Sequence, residues 1–119
     1  QFIKGSTKST SDLSKLFSID RYDVVIYLAA SKAAGESMLK PTDYAHNNII
    51  GGLNLINACS DNNVKIIIFS SSAAVYGKPD YNPIDENHPL SPINYYGQTK
   101  LHIEESLGWF SRLKNIKYR

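Results

Sequence analysis

Three features of the sequence predict an α/β protein with a doubly wound parallel sheet. The first is a pair of short, unbroken apolar runs, "DVVIYLAA" from Asp23 and "KIIIF" from Lys65, both rich in β-branched residues. Runs of that length suit strands buried on both faces, as the strands of parallel sheets are. The second is the stretch between them, where apolar residues recur at helical spacing. The third is that this order repeats after "KIIIF", so strand and helix alternate along the chain. Such alternation favours parallel pairing with helices on both faces of the sheet.

The elements follow in order. "QFIKGS" reads as the tail of a short strand. Ser9 to Ser11 offer N-caps for a short helix reaching about Phe17, with Leu13, Leu16 and Phe17 on one side. Arg21 and Tyr22 lead into the first long apolar strand. Pro41 suits the first turn of a long helix. Its apolar stripe is Ala45, Ile49, Leu53, Ile56 and Cys59. Gly51 and Gly52 interrupt that helix at a cost of about 1 kcal/mol each relative to Ala, which points to close approach of another backbone. Asp61, Asn62 and Asn63 end it. "KIIIF" then breaks into "SSSAAVYG", and Lys78 to Pro92, rich in Pro, Asn and Asp, reads as a loop. A last helix runs from near Asn94 to about Lys114, and "IKYR" begins another strand. The chain opens at Gln1 and closes as that strand starts, so the expectation is one partial domain over residues 1–119, cut from a longer protein.

Composition narrows the function. With 119 residues, 42% hydrophobic and 20% charged, the chain is an ordinary globular domain with one core. A net charge of +2, with 13 scattered basic residues, gives no nucleic-acid footprint. No apolar run spans a membrane and no signal-peptide pattern opens the chain. The single Cys59 cannot form an internal disulfide and reads as a buried reduced thiol, in keeping with a reducing compartment. His46, His88 and His102 lack metal-ligand spacing and read as solvated or capping residues, so no metal is expected. Asp85 and Glu86 read as loop surface charges, and Trp109 and Phe110 as helix-packing residues.

In open α/β sheets, ligands bind beyond the carboxyl ends of the strands. Those ends here are "AASKAAGES" and "SSSAAVYG", both small and hydroxyl-rich. Small residues let backbone approach a flat cofactor; taken singly, either segment would equally well fill a tight turn. The pattern sharpens at "NYYGQTK", where Tyr96 stands four residues before Lys100. On a helix the two share a face that continues through Ile103, Leu107 and Phe110. Lys100 then points toward the strand ends, near Ser72, although a lysine snorkelling from the edge of an apolar stripe is the plainer alternative. A tyrosine phenol, with a pKa of about 10, is a poor base at neutral pH. A neighbouring ammonium favours the phenolate, and bringing a phenol near neutrality takes roughly 4 kcal/mol of such attraction. A serine hydroxyl can hold the substrate oxygen. Ser72, Tyr96 and Lys100 read as a device that removes a hydroxyl proton while hydride leaves the same carbon.

Four stretches, "AASKAAGES", "YAHNNIIGGLNLINA", "IFSSSAAVYG" and "NYYGQTKLHIEE", together resemble the UDP-glucose 4-epimerases of the extended short-chain dehydrogenase/reductase group, whose members are NAD-dependent epimerases and dehydratases. The resemblance runs from Phe2 to Arg119. The Tyr-x-x-x-Lys and Ser pattern belongs to the whole superfamily, whereas "KAAGES" is narrower. The resemblance implies a Rossmann-type domain, NAD as cofactor, and interconversion of UDP-glucose and UDP-galactose through a 4-keto sugar, in cytoplasmic galactose metabolism. It implies that Tyr96 is the catalytic tyrosine, Lys100 its partner and Ser72 the active-site serine. It further implies that Lys100 bonds the nicotinamide ribose, that Leu28, Ala29, Ala30, Lys32 and Ser70 line the cofactor, and that Asn47 lies near its pyrophosphate. Ser6 stands where family members carry an adenine-contacting Asp; it can accept a hydrogen bond but has no charge. Tyr95 replaces a proline usual at the helix start.

The glycine-rich pyrophosphate cradle and the carboxy-terminal sugar-binding region of such enzymes are not in these 119 residues. The chain alone is therefore expected to be inactive. The two long helices, around Ala45–Cys59 and Tyr96–Leu113, resemble those that pair subunits of this family into homodimers. The rival readings are a related sugar-nucleotide 4,6-dehydratase or decarboxylase, and a segment that only folds or associates. A dehydratase needs an added acid and base near Ser72, where "SSSAAVYG" has none. The choice between plain and N-acetylated sugars is made outside this segment.

Overall fold

The computed structural model describes every residue, Gln1–Arg119. Its centre is a parallel sheet of three short strands, β1 (Val24–Tyr27), β2 (Ile66–Phe69) and β3 (Lys117–Tyr118), in the order β1-β2-β3. Val24 lies opposite Ile66, and Ile66 opposite Lys117. The first strands form where Val, Ile and aromatic residues cluster, side chains that fit a pleated, half-buried surface. Tyr27 and Phe69, the last residues of β1 and β2, are register partners, so the two strands end side by side.

Helix α1 (Thr10–Ile19) begins where expected. Ser9 is its N-cap, and the Ser9 Oγ accepts from the Asp12 N–H at 3.2 Å. Leu13 and Phe17 are buried and Leu16 half-buried. The stretch Gln1–Ser6 is not a strand. It joins no ladder and bonds locally instead, through the Ser6 N–H to the Asp12 Oδ2 at 3.1 Å and the Ser9 N–H to the Ser6 carbonyl at 3.0 Å.

The crossover from β1 to β2 holds a short helix, α2 (Ala34–Leu39), and then one continuous rod: α3 (Pro41–Tyr44), a π-helical segment (Ala45–Ile50) and α4 (Gly51–Asp61). Pro41 sits at the start of the rod, as predicted. The buried stripe differs from the expected one. Tyr44, Asn48, Leu55, Ile56 and Cys59 are buried, whereas Ala45, Ile49 and Leu53 are half-buried at its edge. The wider i→i+5 turns of the π segment rotate the residues before Gly51 away from a 3.6-residue period. The paired glycines also differ. A Cβ on Gly52 would lie 2.5 Å from the Ile103 Cδ1, and one on Gly51 2.6 Å from the Thr7 Oγ1. They admit neighbouring side chains, not another backbone.

Helix α5 (Tyr95–Lys114) crosses from β2 to β3 and is capped by Asn94, whose Oδ1 accepts from the Gly97 N–H at 2.8 Å. Beyond α4 and α5 stand Asn63 and Asn115, with φ of 59° and 54°, left-handed positions that Asn tolerates. One apolar cluster joins the helices to the sheet, with Leu13 and Phe17 of α1, Leu55, Ile56 and Cys59 of α4, and Ile103 and Leu107 of α5 packed on Tyr27 and Ile67. The long helices therefore lie on one face. Within these residues the expected cover on both faces is not met: Ile26 is 62% exposed, Leu28 70%, and Val24 and Ile68 also face outward. Two right-handed crossovers that advance the sheet in the same direction place both helices on the same side.

Two further expectations change. Trp109 is exposed, with the Arg112 guanidinium 4.9 Å from its ring centre, while its neighbour Phe110 packs on the core. His88 is buried, not solvated, because the loop Lys78–Pro92 curls around it. Its Nε2 accepts from the Asp80 N–H at 3.0 Å, its Nδ1 donates to the Pro89 carbonyl at 2.8 Å, and the rings of Tyr76 and Tyr81 pack against it. No helix is long and apolar enough to cross a membrane.

Candidate functional site

The side-by-side ends of β1 and β2 open into "AASKAAGES" and "SSSAAVYG". After β2 the chain turns through a short 3-10 helix, Ala73–Val75, capped by the Ser72 Oγ, which accepts from the Ala74 N–H at 3.2 Å. The first turn of α5 sits on that segment. A Cβ on Gly97 would lie 2.5 Å from the Ala74 carbonyl oxygen, so the residue after Tyr96 is where two backbones meet.

Lys100 enters the same region from α5. It is only 4% exposed and does not snorkel to water. Its Nζ donates to the Ser70 carbonyl at 2.7 Å and lies 4.7 Å from the centre of the Phe69 ring and 6.0 Å from that of Tyr96. The expected neighbour on the strand end was Ser72; the group that Lys100 bonds is the Ser70 carbonyl. Burial pushes the ammonium below the usual lysine value, and the charge of Glu104, one turn further along α5, pulls it back up. An ammonium has three donors, and one is used here, so two remain for ligand oxygens.

Tyr96 is half-buried and its backbone is held at both ends. Its N–H donates to the Ser37 Oγ at 2.9 Å, and its carbonyl accepts from the Thr99 Oγ1 at 2.7 Å. Thr99 in turn accepts from the Asn48 Nδ2 at 3.0 Å. Asn48 grips the strand-end segment by both backbone groups of Ser31, accepting from its N–H at 2.8 Å and donating to its carbonyl at 2.9 Å. The neighbouring Asn47 reaches the Ser31 Oγ at 3.0 Å. Both asparagines stand on the π-helical segment, a feature often found at functional sites.

The remaining candidates lie along β1 and its free edge. Leu28, Ala29 and Lys32 are exposed and Ala30 is half-buried, so backbone beyond the strand is open to a ligand. Ser6 joins Leu28 and Ala29 in a mostly apolar cavity of about 410 Å³, in which the Asp12 carboxylate is the one acidic group. That cavity does not include Tyr96, Lys100 or Ser72. Sequence reasoning missed Ser37, Asn48, Ser71, Thr99 and Glu104. Glu104 alone carried a local signal, standing four residues beyond Lys100 as Lys100 stands beyond Tyr96.

A parallel sheet whose open strand ends meet a tyrosine and a buried lysine on one helix places the chain in the class of open α/β domains, whose ligands bind beyond the carboxyl ends of the strands. The chain belongs to the NAD dependent epimerase/dehydratase family, which it matches over residues 1–119. It is 42% identical over 118 residues to a UDP-glucose 4-epimerase of Lactobacillus helveticus, an alignment covering 99% of this chain and 36% of that protein. Its structure is similar to that of a Brucella ovis UDP-glucose 4-epimerase in complex with NAD, with a TM-score of 0.96 at 36% identity, covering 99% of this chain and 36% of the other. A Thermotoga maritima UDP-glucose 4-epimerase with UDP-glucose gives a TM-score of 0.94 at 33% identity, covering 98% and 38%. The chain thus spans about a third of the length of the proteins it resembles.

Proposed function

We propose that this chain forms part of the NAD-binding domain of a UDP-glucose 4-epimerase and carries its proton-transfer residues. The observation that supports this best is Lys100, a buried ammonium bonded to the Ser70 carbonyl at 2.7 Å and placed one helical turn from Tyr96. A buried lysine in no salt bridge is costly, and the cost has a use if the charge stabilises a phenolate. NAD, when bound, supplies a reversible acceptor for the hydride on the sugar C4.

The residues present fit that cofactor at its ribose end. Lys100 has two donors to spare, and Leu28, Ala29 and Lys32 leave the end of β1 open. Tyr96, as phenolate, takes the proton of the sugar 4-hydroxyl. Lys100 stabilises that phenolate, and Ser72 holds the substrate oxygen within reach of Tyr96. Tyr96 would give a proton back to the 4-oxygen as the hydride returned to the opposite face of the 4-keto sugar, so the net change would be inversion at C4.

The test is Tyr96→Phe in the full-length protein, with interconversion of UDP-glucose and UDP-galactose as the assay. Removing one hydroxyl should lower turnover by at least about 100-fold, as loss of a general base does, while the melting temperature stays close to that of the parent. Near-normal turnover would sink the assignment.

A further inference from the structure

Glu104 is half-buried on the inner side of α5, next to the buried Lys100, Ile103 and Leu107. A carboxylate taken out of water needs a partner. The chain has two salt bridges, Glu36–Lys40 and Asp23–Lys65, and Glu104 is in neither. Its partner is the hydroxyl of Ser71, which donates to the Glu104 Oε1 from 33 residues away in sequence. Ser71 lies between Ser70, whose carbonyl Lys100 holds, and Ser72, which caps the 3-10 turn. Helix α5 therefore grips two successive residues of the β2 end, one through a cation and one through an anion.

We propose that Glu104 is a positioning residue for this site: it clamps the segment leading to Ser72 through Ser71 and sustains the charge of Lys100 from one helical turn away. This rests on the reading that Tyr96 and Lys100 transfer the proton. Lys100 and Glu104 are spaced i, i+4, so they share a face. Other ionisable groups on the elements around α5 are engaged, neutral or exposed. Glu36 is taken up by Lys40 and Tyr44, and burial keeps Tyr27 and Cys59 neutral. Tyr76 packs against His88. Asp43, His46, Asp61, Lys117 and Tyr118 are exposed. Desolvation works against the Lys100 ammonium, and Glu104 is the charge that opposes it.

The experiment uses the full-length protein labelled with [6-13C]lysine, with the Lys100 signal identified by its loss in Lys100→Met. Titration of that signal without substrate is compared for the parent, Glu104→Gln and Glu104→Asp. The amide of Gln still accepts from Ser71 but carries no charge, whereas Asp keeps the charge. In Glu104→Gln, Lys100 should lose its proton about one pH unit earlier, a tenfold weaker proton affinity, and the alkaline limb of the pH–rate profile should move down with it. Glu104→Asp should restore most of both. A Lys100 titration unchanged in Glu104→Gln, or shifted equally in Gln and Asp, overturns the proposal. If Glu104→Gln does not fold, Ser71→Ala decides: turnover lowered several-fold with Lys100 titrating as in the parent supports the clamp, and unaltered turnover overturns it. A Lys100 shift without any epimerase activity would leave Glu104 its role and remove the proposed reaction instead.

Discussion

Burial alone sets the chemistry of Cys59. The side chain is fully buried in the core on α4, and desolvation pushes its thiol from 9.0 up to about 12. A thiolate, not a thiol, attacks disulfide reagents, so Cys59 should resist Ellman's reagent at pH 8 in the native protein and react at once in denaturant. Fast native reaction would contradict the packing. The sign of the stability effect follows from proton binding. Below pH 9 the thiol is neutral in both states; between about 9 and 12 only the unfolded chain ionises, so stability falls as pH rises. Lys100 acts in the opposite sense. Its folded value is depressed, so its cost is present at neutral pH and is relieved as pH rises toward 10.5. Comparison of the parent with Cys59→Ala isolates the thiol: the stability gap between them should narrow from pH 8 to pH 10.5.

Two helical glycines show how elements meet. Gly97 lies in the first turn of α5, and a Cβ there would press on the Ala74 carbonyl at 2.5 Å. Backbone faces backbone, so neither side can swing away. Gly97→Ala should destabilise by about 1–3 kcal/mol, as overpacking does, and should lift Tyr96 off the 3-10 turn. Gly35 in α2 has no atom within 4 Å of its added Cβ. Gly35→Ala should be neutral or gain up to about 1 kcal/mol from helix propensity. Thermal melts of the pair check both, and equal effects would show that the contact at Ala74 is not tight. The cost at Gly97 has a structural purpose, since the same approach brings the start of α5 against the segment capped by Ser72.

At the scale of the whole chain, the packing is one-sided. The radius of gyration is 15.0 Å and the extents are 46 × 30 × 25 Å; a compact domain of this length would have a radius near 13–14 Å by the usual scaling. Val24, Ile26, Leu28 and Ile68 form an exposed apolar surface on the face of the sheet away from the helices. Contiguous apolar surface of that kind drives association, and the outer edge of β1 offers unpaired backbone groups for further pairing. The 119-residue chain on its own should therefore bind a hydrophobic dye such as ANS and associate as concentration rises. The double variant Ile26→Thr, Ile68→Thr should reduce both. Weak dye binding by the unaltered chain in sedimentation-monomeric form would count against this description.

The sequence by itself determined the features that depend on near neighbours. Ser9 and Asn94 as caps, Pro41 at a helix start, the alternation of strand and helix, and the shared face of Tyr96 and Lys100 all follow from residues within about one turn of each other. The family resemblance rested on such local motifs too. Tertiary structure decided what joins residues far apart in the chain. The Asn48–Thr99 bond spans 51 residues, Tyr96–Ser37 spans 59, and Lys100–Ser70 spans 30. No periodicity announces a hydrogen bond over such distances. The same holds for the burial of His88 and for the π turns that bring Asn48 inward, since both answer to what the fold packs against them. Local spacing can place a charge on a helix face, but only the assembled fold removes water from it, and that removal is what makes Lys100 and Glu104 matter to each other.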